Sequence, residues 1–307
     1  MADGLKLNLK EAIVLKNAEG TWWELKGKNS SGASFSWDAP IAFVVDVSIS
    51  QSLSFTLTSY VSSGGKIYWG DGNTTDITST SSYNHTYAAS TGTYTVLVHC
   101  NSTYFSFETS SSNVTEVKSY GNARSGFQLP RFNCQNMTKV AGSIVPREIP
   151  LSSTFKNATS FNQDISGWDV SKVYRFDETF AGATSFNQDL SAWDTSGADS
   201  FSGMFQGASS FNQDIGNLDI SGITGSTGLL NTLSGSGLST ENYSRTLIGW
   251  ANQHYAGGVI DGISATSGSL TYNNTAYTTG NQFNDAVSAR AYLVGTAGWT
   301  IIDGGQV

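Results

Sequence analysis

The tetrapeptide Phe-Asn-Gln-Asp occurs three times in this chain, at Phe161-Asn162-Gln163-Asp164, Phe186-Asn187-Gln188-Asp189 and Phe211-Asn212-Gln213-Asp214. The copies are 25 residues apart, and an Ile or a Leu follows each of them. A fixed period of this length is typical of a solenoid, in which each unit buries its apolar face only against its neighbours. The sequence therefore favours a function that depends on an extended surface.

The residues after the tetrapeptide keep the same period. Trp168 and Trp193 stand four residues after the Asp in the first two copies, and Leu218 takes that place in the third. An Asp follows each of these three residues. The repeat is therefore longer than its invariant core, and its third copy departs from the pattern.

Each repeat also carries apolar residues at helical spacing. Leu151, Phe155 and Ala158 are related as i, i+4 and i+7, and the next two repeats have the same arrangement. This spacing predicts a short helix of about two turns in each repeat. Gly182 and Gly207 follow at positions where such helices would stop.

The repeated Asn and Asp side chains allow two interpretations. One is a calcium site, because the repeats would align one carboxylate per unit in a column. Calcium needs six to eight oxygens that converge on one point, however, and a column spreads them out. We therefore predict that these side chains bond to turn backbone groups and that the chain holds no metal. The positions concerned are Asn162, Asp164, Asn187, Asp189, Asn212 and Asp214.

The aromatic residues of the repeats raise a similar choice. Exposed rings would be stacking platforms for carbohydrate, whereas rings in register with the following Ile or Leu would form a stacked core. The register favours the core for the Phe residues. For the Trp residues, a place in the core or at its rim is favoured over a ligand platform. These structural repeat positions are Phe161, Trp168, Phe186, Trp193 and Phe211.

Upstream of the repeats the pattern is that of β-strands. Apolar residues alternate over residues 43–47 and 53–57. A strand then runs into Trp69-Gly70-Asp71-Gly72, whose Asp-Gly pair is a strong hairpin signal. We expect Asp71 to form this turn rather than to act as an acid or a metal ligand. Residues 41–112 are predicted to form a small β-sandwich.

Two family resemblances follow from these motifs. The Trp69-Gly70-Asp71-Gly72 turn, followed by His85-Thr86-Tyr87 and by Gly92-Thr93-Tyr94-Thr95-Val96, resembles the signature of a PKD-type domain, an immunoglobulin-like sandwich. The 25-residue repeats resemble those of the BspA-type leucine-rich-repeat surface proteins of bacteria, and residues 298–305 are similar to the carboxyl-terminal cap of that family. The resemblances imply interaction modules and supply no catalytic residues.

The predicted fold class is mainly β and multi-domain: a PKD-like β-sandwich, then a short leucine-rich-repeat-type α/β solenoid with a helical C-terminal cap. We assign residues 1–40 to an N-terminal β segment and candidate attachment region, and residues 113–235 to the repeats. Residues 236–307 form the cap, with predicted helices over residues 240–253 and 283–294.

Composition excludes several classes of function. Charged residues make up 13% of the 307, and the net charge of −8 leaves no basic stripe for nucleic acid or anionic lipid. No apolar run is long enough to insert into a membrane. We found no phosphate loop, HExxH motif or nucleophile elbow, so we predict no enzyme activity and no cofactor. Cys100 and Cys134 form either one disulfide or two free thiols.

Two settings remain for a structural or interaction protein on an exterior surface. The N-terminus shows no basic segment before an apolar run, so it predicts no secretory signal. We therefore expect a phage virion component, either a capsid decoration or a tail-associated protein. The alternative, implied by the BspA-type resemblance, is a bacterial cell-surface adhesin. Its partners would be capsid or tail proteins, or a host surface receptor, matrix proteins or glycans, and a homo-oligomer within an assembly fits either setting.

The carboxylate column generates a first prediction. Because one carboxylate per repeat cannot assemble a calcium shell, we expect neither calcium nor a chelator to change the melting temperature. Thermal denaturation in EDTA and in excess calcium measures this. A melting temperature that falls in EDTA and is restored by calcium would contradict the prediction.

Overall fold

A computed structural model describes the protein over residues 25–28, 34–37, 41–58, 65–99, 106–109, 111–120, 131–132, 134–140, 149–277 and 281–307. Residues 1–24 of the candidate attachment region lie outside these ranges, as does Cys100. Cys134 is a buried free thiol whose sulfur lies 3.6 Å from the carbonyl oxygen of Thr109.

The chain is mainly β, as the sequence predicted, and the described residues contain two α-helices. The first helix, α1 (Thr240–Tyr255), begins at the N-cap Ser239, and the second, α2 (Ala286–Gly295), begins at the N-cap Asp285. The strands are β1 (Leu25–Lys28), β2 (Ser34–Trp37), β3 (Ile41–Asp46), β4 (Ser52–Thr58), β5 (Gly65–Tyr68), β6 (Thr74–Ile77), β7 (Ser82–Thr86), β8 (Thr93–His99), β9 (Ser106–Thr109), β10 (Val114–Tyr120), β11 (Arg131–Phe132), β12 (Ile149–Pro150), β13 (Val173–Arg175), β14 (Ser264–Thr266), β15 (Thr271–Tyr272), β16 (Thr300–Ile302) and β17 (Gly305–Gln306).

Two sheets form the amino-terminal half of the described structure. The first has the order β10-β3-β8-β5-β6, and the second has the order β11-β9-β4-β7. Phe55 of β4 and Trp69, which follows β5, are both buried, with ring centroids 5.6 Å apart. The two sheets therefore share a core. Separately, β1 pairs antiparallel with β2.

Strand β10 joins the sheets to the repeats. On one side it pairs antiparallel with β3, where Val117 lies opposite Phe43. On its other side, the N–H of Val117 donates to the carbonyl of Lys139 at 2.9 Å, and the N–H of Thr138 donates to the carbonyl of Thr115 at 3.0 Å. The sequence assigned residues from 113 onwards to the repeats, whereas β10 is bonded to both parts.

Successive repeats are joined by backbone hydrogen bonds, and we call residues 149–235 the repeat stack. The N–H groups of Ser153 and Phe155 donate to the carbonyls of Asp177 and Thr179, at 2.9 Å in both cases. Equivalent bonds join the second repeat to the third, and the third to residues 228–234. The stack therefore has a fourth unit, which the sequence pattern did not reveal because its spacing from the third differs from 25.

The predicted short helix of each repeat is wrong. Residues 151–222, all of which the structure describes, contain no α-helix. Alternate N–H groups bond to the next repeat, so they cannot close i to i−4 bonds. The remaining ones close four-residue turns with i to i−3 bonds, such as Ala158 to Phe155. Each repeat also has two left-handed residues four positions apart, such as Ser153 and Asn157, both with φ 59°. Two successive turns of this kind reproduce the helical spacing of the apolar side chains.

Stacked rings fill the interior of the repeat stack. Phe186 is fully buried, and its ring lies parallel to those of Phe161 and Phe211 at centroid distances of 5.9 and 6.0 Å. A second column runs through Phe155, Phe180 and Phe205. Offset stacking of this kind stabilises aromatic pairs beyond the area that they bury. The rings of the second repeat, Phe180 and Phe186, are thus covered by the rings of the repeats on either side.

The carboxyl-terminal part of the chain covers the last repeat and continues its parallel pairing. Strand β14 pairs with β16, and β15 pairs with β17. The carboxylate of Asp303, which is 2% exposed, accepts hydrogen bonds from Arg290 of α2 at 2.9 Å and from the hydroxyl of Tyr243 of α1 at 3.0 Å. Both helices are therefore tied to the final strands.

The ring column generates a stability prediction. We expect Phe186→Ala to lower the free energy of unfolding by about 3–5 kcal/mol, because it opens a cavity that two neighbouring rings line. Tyr174→Ala is the matched control, since Tyr174 is 40% exposed on the same stack; it should cost at most about 0.5 kcal/mol. Chemical denaturation measures both. Equal effects for the two variants would contradict a core role for Phe186.

Candidate functional site

A ladder of side-chain amides runs along the repeat stack. The Oδ1 atom of Asn162 accepts from the N–H of Asn187 at 2.9 Å and from the side-chain amide of Gln188 at 2.8 Å. Asn187 does the same for Asn212 and Gln213, at 2.8 and 2.9 Å. The Asn of each repeat thus holds the next one in register.

Both ends of this ladder are closed by other groups. At the first repeat, the side chain of Gln163 accepts from the N–H of Val140 at 2.8 Å and donates to its carbonyl at 3.2 Å. At the third repeat, Asn212 accepts from the N–H of Ser239 at 2.7 Å and from the side chain of Asn242 in α1 at 3.0 Å. The helix thus replaces a fourth Asn-Gln pair.

The Asp side chains of the tetrapeptides turn the backbone. The carboxylates of Asp164 and Asp189 accept from the N–H two residues further on, at 2.9 and 2.8 Å, and Asp214 accepts from Gly216 at 2.8 Å. The second Asp of each repeat makes the same bond, as Asp169 does with Ser171 at 3.1 Å. Among the described residues, no group of three His, Cys, Asp or Glu side chains could hold a metal ion.

The Trp residues of the repeats lie in the interior. Trp168 is 3% exposed and Trp193 is 4% exposed, and Leu218 is equally buried in the third repeat. The indole N–H of Trp193 donates to the carbonyl of Ile165 in the preceding repeat at 3.1 Å. With the Phe columns, this leaves none of the repeated aromatic positions as an open platform for a ligand.

The Trp69-Gly70-Asp71-Gly72 segment closes the hairpin of β5 and β6 and centres a polar cluster. The carboxylate of Asp71 accepts from the N–H of Asn73 at 3.0 Å and lies 2.7 Å from Nε2 of His85. The His85 ring stacks on Trp69 at 4.7 Å. Gly70 has φ 89°, and a Cβ there would lie 2.7 Å from the carbonyl oxygen of Thr95, so only glycine fits.

Electrostatics in this cluster favour a charged carboxylate. Burial acts to raise the pKa of Asp71, but the hydrogen bonds from His85 and Asn73 outweigh burial and lower that pKa below its ordinary value. Asp71 is therefore both a turn residue and the partner of His85. Its bonds to Asn73 and His85 stay within the hairpin and β7.

A groove of about 510 Å³ lies beside the third repeat. One wall is the corner formed by residues 214–221, and the other is formed by residues 245–256 of α1 and its C-cap. Gly258 and Asn281 also line the groove. The backbones touch at its base, because a Cβ on Gly249 would lie 2.3 Å from the carbonyl oxygen of Gly216. The matching position in the first two repeats is Ser166 and Ser191.

The groove changes the surroundings of the tetrapeptide carboxylate. Asp164 of the first repeat is solvated, and the N–H of Ser166 lowers its pKa. For Asp214, burial by the helix raises the pKa, against the hydrogen bonds from Gly216 and Thr246 and the nearby charge of Arg245. Sequence reasoning missed this groove. Its only signal is the change from Ser to Gly at Gly216.

A comparison with known protein families found a match to the repeats. Residues 125–236 match a family model described as Mycoplasma protein of unknown function, DUF285. The match covers a little over a third of the chain and includes all three tetrapeptides, but not residues 41–112. No curated protein and no solved structure matches the chain. Within the described residues, neither helix has the length and apolarity to cross a bilayer.

The amide ladder generates a prediction. We expect Asn187→Ala to lower the free energy of unfolding by about 1–3 kcal/mol, because the N–H of Asn212 loses its acceptor and the amide of Gln213 keeps only the backbone carbonyl of residue 187, at 3.3 Å. Asn187→Asp keeps an acceptor oxygen at the same place and should retain most of the stability. Chemical denaturation of both variants checks this. Equal losses would show that the acceptor is not what matters.

The Asp71 cluster generates a pH prediction. The pKa of Asp71 in the folded protein is lowered. The charged Asp71 carboxylate therefore stabilises the fold at pH values above its unfolded-state pKa, and this stabilisation is lost as the pH falls through its folded-state pKa. The unfolded value is about 3.9. We therefore expect Asp71→Asn to destabilise the protein at pH 7, and the difference from wild type to shrink below about pH 4. Unfolding curves from pH 7 to pH 3 measure the difference; a constant gap would contradict the assignment.

Proposed function

We propose that the chain is a non-catalytic interaction protein of an exterior surface, most closely of the cell-surface adhesin kind. This proposal rests on the structural role of the repeated side chains. The Phe, Trp, Asn, Gln and Asp residues of the tetrapeptide repeats serve the stack itself, as ring columns, amide ladder and turns. They support a rigid scaffold, and they leave the variable surface residues to contact partners.

The same proposal includes the finer fold assignment. The backbone bonds between repeats, the ring columns and the covered ends support a short solenoid of the BspA-type leucine-rich-repeat kind. The two sheets, together with the Trp69-Gly70-Asp71-Gly72 hairpin and its contact with His85, support a PKD-like, immunoglobulin-like domain ahead of it. A sandwich placed before such a scaffold would act as a spacer.

The family match favours a cellular setting over the virion that we expected from the sequence. The matching model describes proteins of Mycoplasma, a cellular organism, and it covers the repeats on which the surface would be built. The neutral, hydroxyl-rich composition, with 13% charged residues, suits exposure to a medium or to a partner surface. Host or matrix proteins and glycans are the partners that such a surface would meet.

Fractionation of the native source tests the setting. Density-gradient centrifugation, followed by mass spectrometry, should recover the chain with cell envelopes. Brief protease treatment of intact cells should then degrade it, while a cytoplasmic enzyme in the same cells stays protected. Co-migration with virus-sized particles at fixed stoichiometry would overturn the cell-surface assignment in favour of a virion component.

A further inference from the structure

The third repeat has Gly216 and Leu218 where the first two have Ser and Trp, and between them it has Asn217, where the first two have Gly167 and Ala192. Gly216 is required by its contact with Gly249, and Leu218 is buried where the other repeats have Trp. Packing does not account for Asn217. Its side chain is exposed, lines the groove beside α1, and makes no hydrogen bond within the described residues.

The wall that carries Asn217 has unused hydrogen-bonding groups. In Asp214, Oδ1 accepts from Gly216 and Thr246, and no described group bonds to Oδ2. In Asp219, Oδ1 accepts from the N–H of Ser221 at 2.8 Å, and Oδ2 again has no partner among the described residues. One amide and two carboxylate oxygens therefore line the same side of the groove with hydrogen-bonding capacity to spare.

The opposite wall has a different character. Gly249 and the exposed Ala256 present C–H groups to the groove, and Ile248, which is 1% exposed, lies beneath them. Gln253 also lies on this wall, but both ends of its amide are bound to the backbone of the third repeat. Asn252 is engaged in the same way by Phe283. The groove thus has a hydrogen-bonding side and an apolar side.

The charges of the groove narrow the class of ligand. Two carboxylates repel an anion, and Arg245 directs its Nε and Nη2 atoms to Glu241, at 3.1 and 2.8 Å. A divalent cation would need six or more converging oxygens, which two carboxylates on one wall do not supply. A neutral molecule with hydroxyls on one edge and C–H groups on one face fits both walls.

We infer that this groove binds a neutral saccharide. Asp214 and Asp219 accept hydrogen bonds from sugar hydroxyls, and the amide of Asn217 both donates and accepts. The C–H face of the sugar ring packs on the exposed Ala256. A groove of about 510 Å³ has the size of an ordinary small-ligand site and holds one or two sugar rings. The inference rests on the proposed function, for which it names a class of ligand.

Glycan binding by the purified full chain tests the inference. The probes are immobilised galactose, glucose, mannose, N-acetylglucosamine and N-acetylgalactosamine with their disaccharides, alongside sialyllactose as an anionic contrast. The test variant is Asn217→Ala, because Ala192 occupies the equivalent position in the second repeat. The control, Ala192→Asn, places the same amide on the second repeat, outside the groove.

We expect at least one neutral probe to bind, Asn217→Ala to weaken that binding about tenfold, and Ala192→Asn to leave it unchanged. Equal melting temperatures of the two variants would exclude a folding defect as the cause. Binding only to sialyllactose, binding that Asn217→Ala leaves unaltered, or no binding to any neutral probe would each overturn the inference. None of these outcomes bears on the envelope fractionation, so the proposed function is tested separately.

Discussion

The stacking of one repeat on the next is the interaction on which the rest of the structure depends. No repeat buries its own rings: Phe186 is covered by Phe161 on one side and by Phe211 on the other. An array of this kind is stable only when its terminal units are covered as well. Strand β10 and the residues after it cover the first repeat, and residues 228–234 together with α1 cover the third.

The two ends are closed by different chemistry. At the first end, backbone groups of Val140 stand in for a preceding repeat and bond to Gln163. At the other end, Asn242 approaches Asn212 from a helix, so the chain must bring that helix against the last corner. Gly216 and Gly249 permit the contact because neither carries a Cβ. The groove beside α1 is a geometric consequence of this closure.

The repetition made the stack predictable, but the local backbone was not. The 25-residue period indicated units that cover one another, and the β-pattern of residues 41–58 indicated strands. The helical spacing of the apolar residues led to the wrong prediction of a short helix. Two consecutive turns, with left-handed residues four positions apart, place their side chains at the same spacing as a helix does. Asn157, Gly182 and Gly207 occupy one position of the three repeats and all have positive φ. Asn and Gly at that position were the available signal against a helix.

The groove could not be predicted, because it depends on where α1 crosses a corner more than twenty residues away. The sequence nevertheless separates two kinds of residue in the repeats. Residues that recur unchanged pack or form hydrogen bonds within the stack. They are the same in each repeat because each repeat contacts the same kind of neighbour. Departures from the pattern mark places where the neighbour differs. Gly216 departs to admit a helix. Asn217 stands at a position that already varies between Gly167 and Ala192, and its exposed side chain beside the groove remains available to a molecule outside the chain.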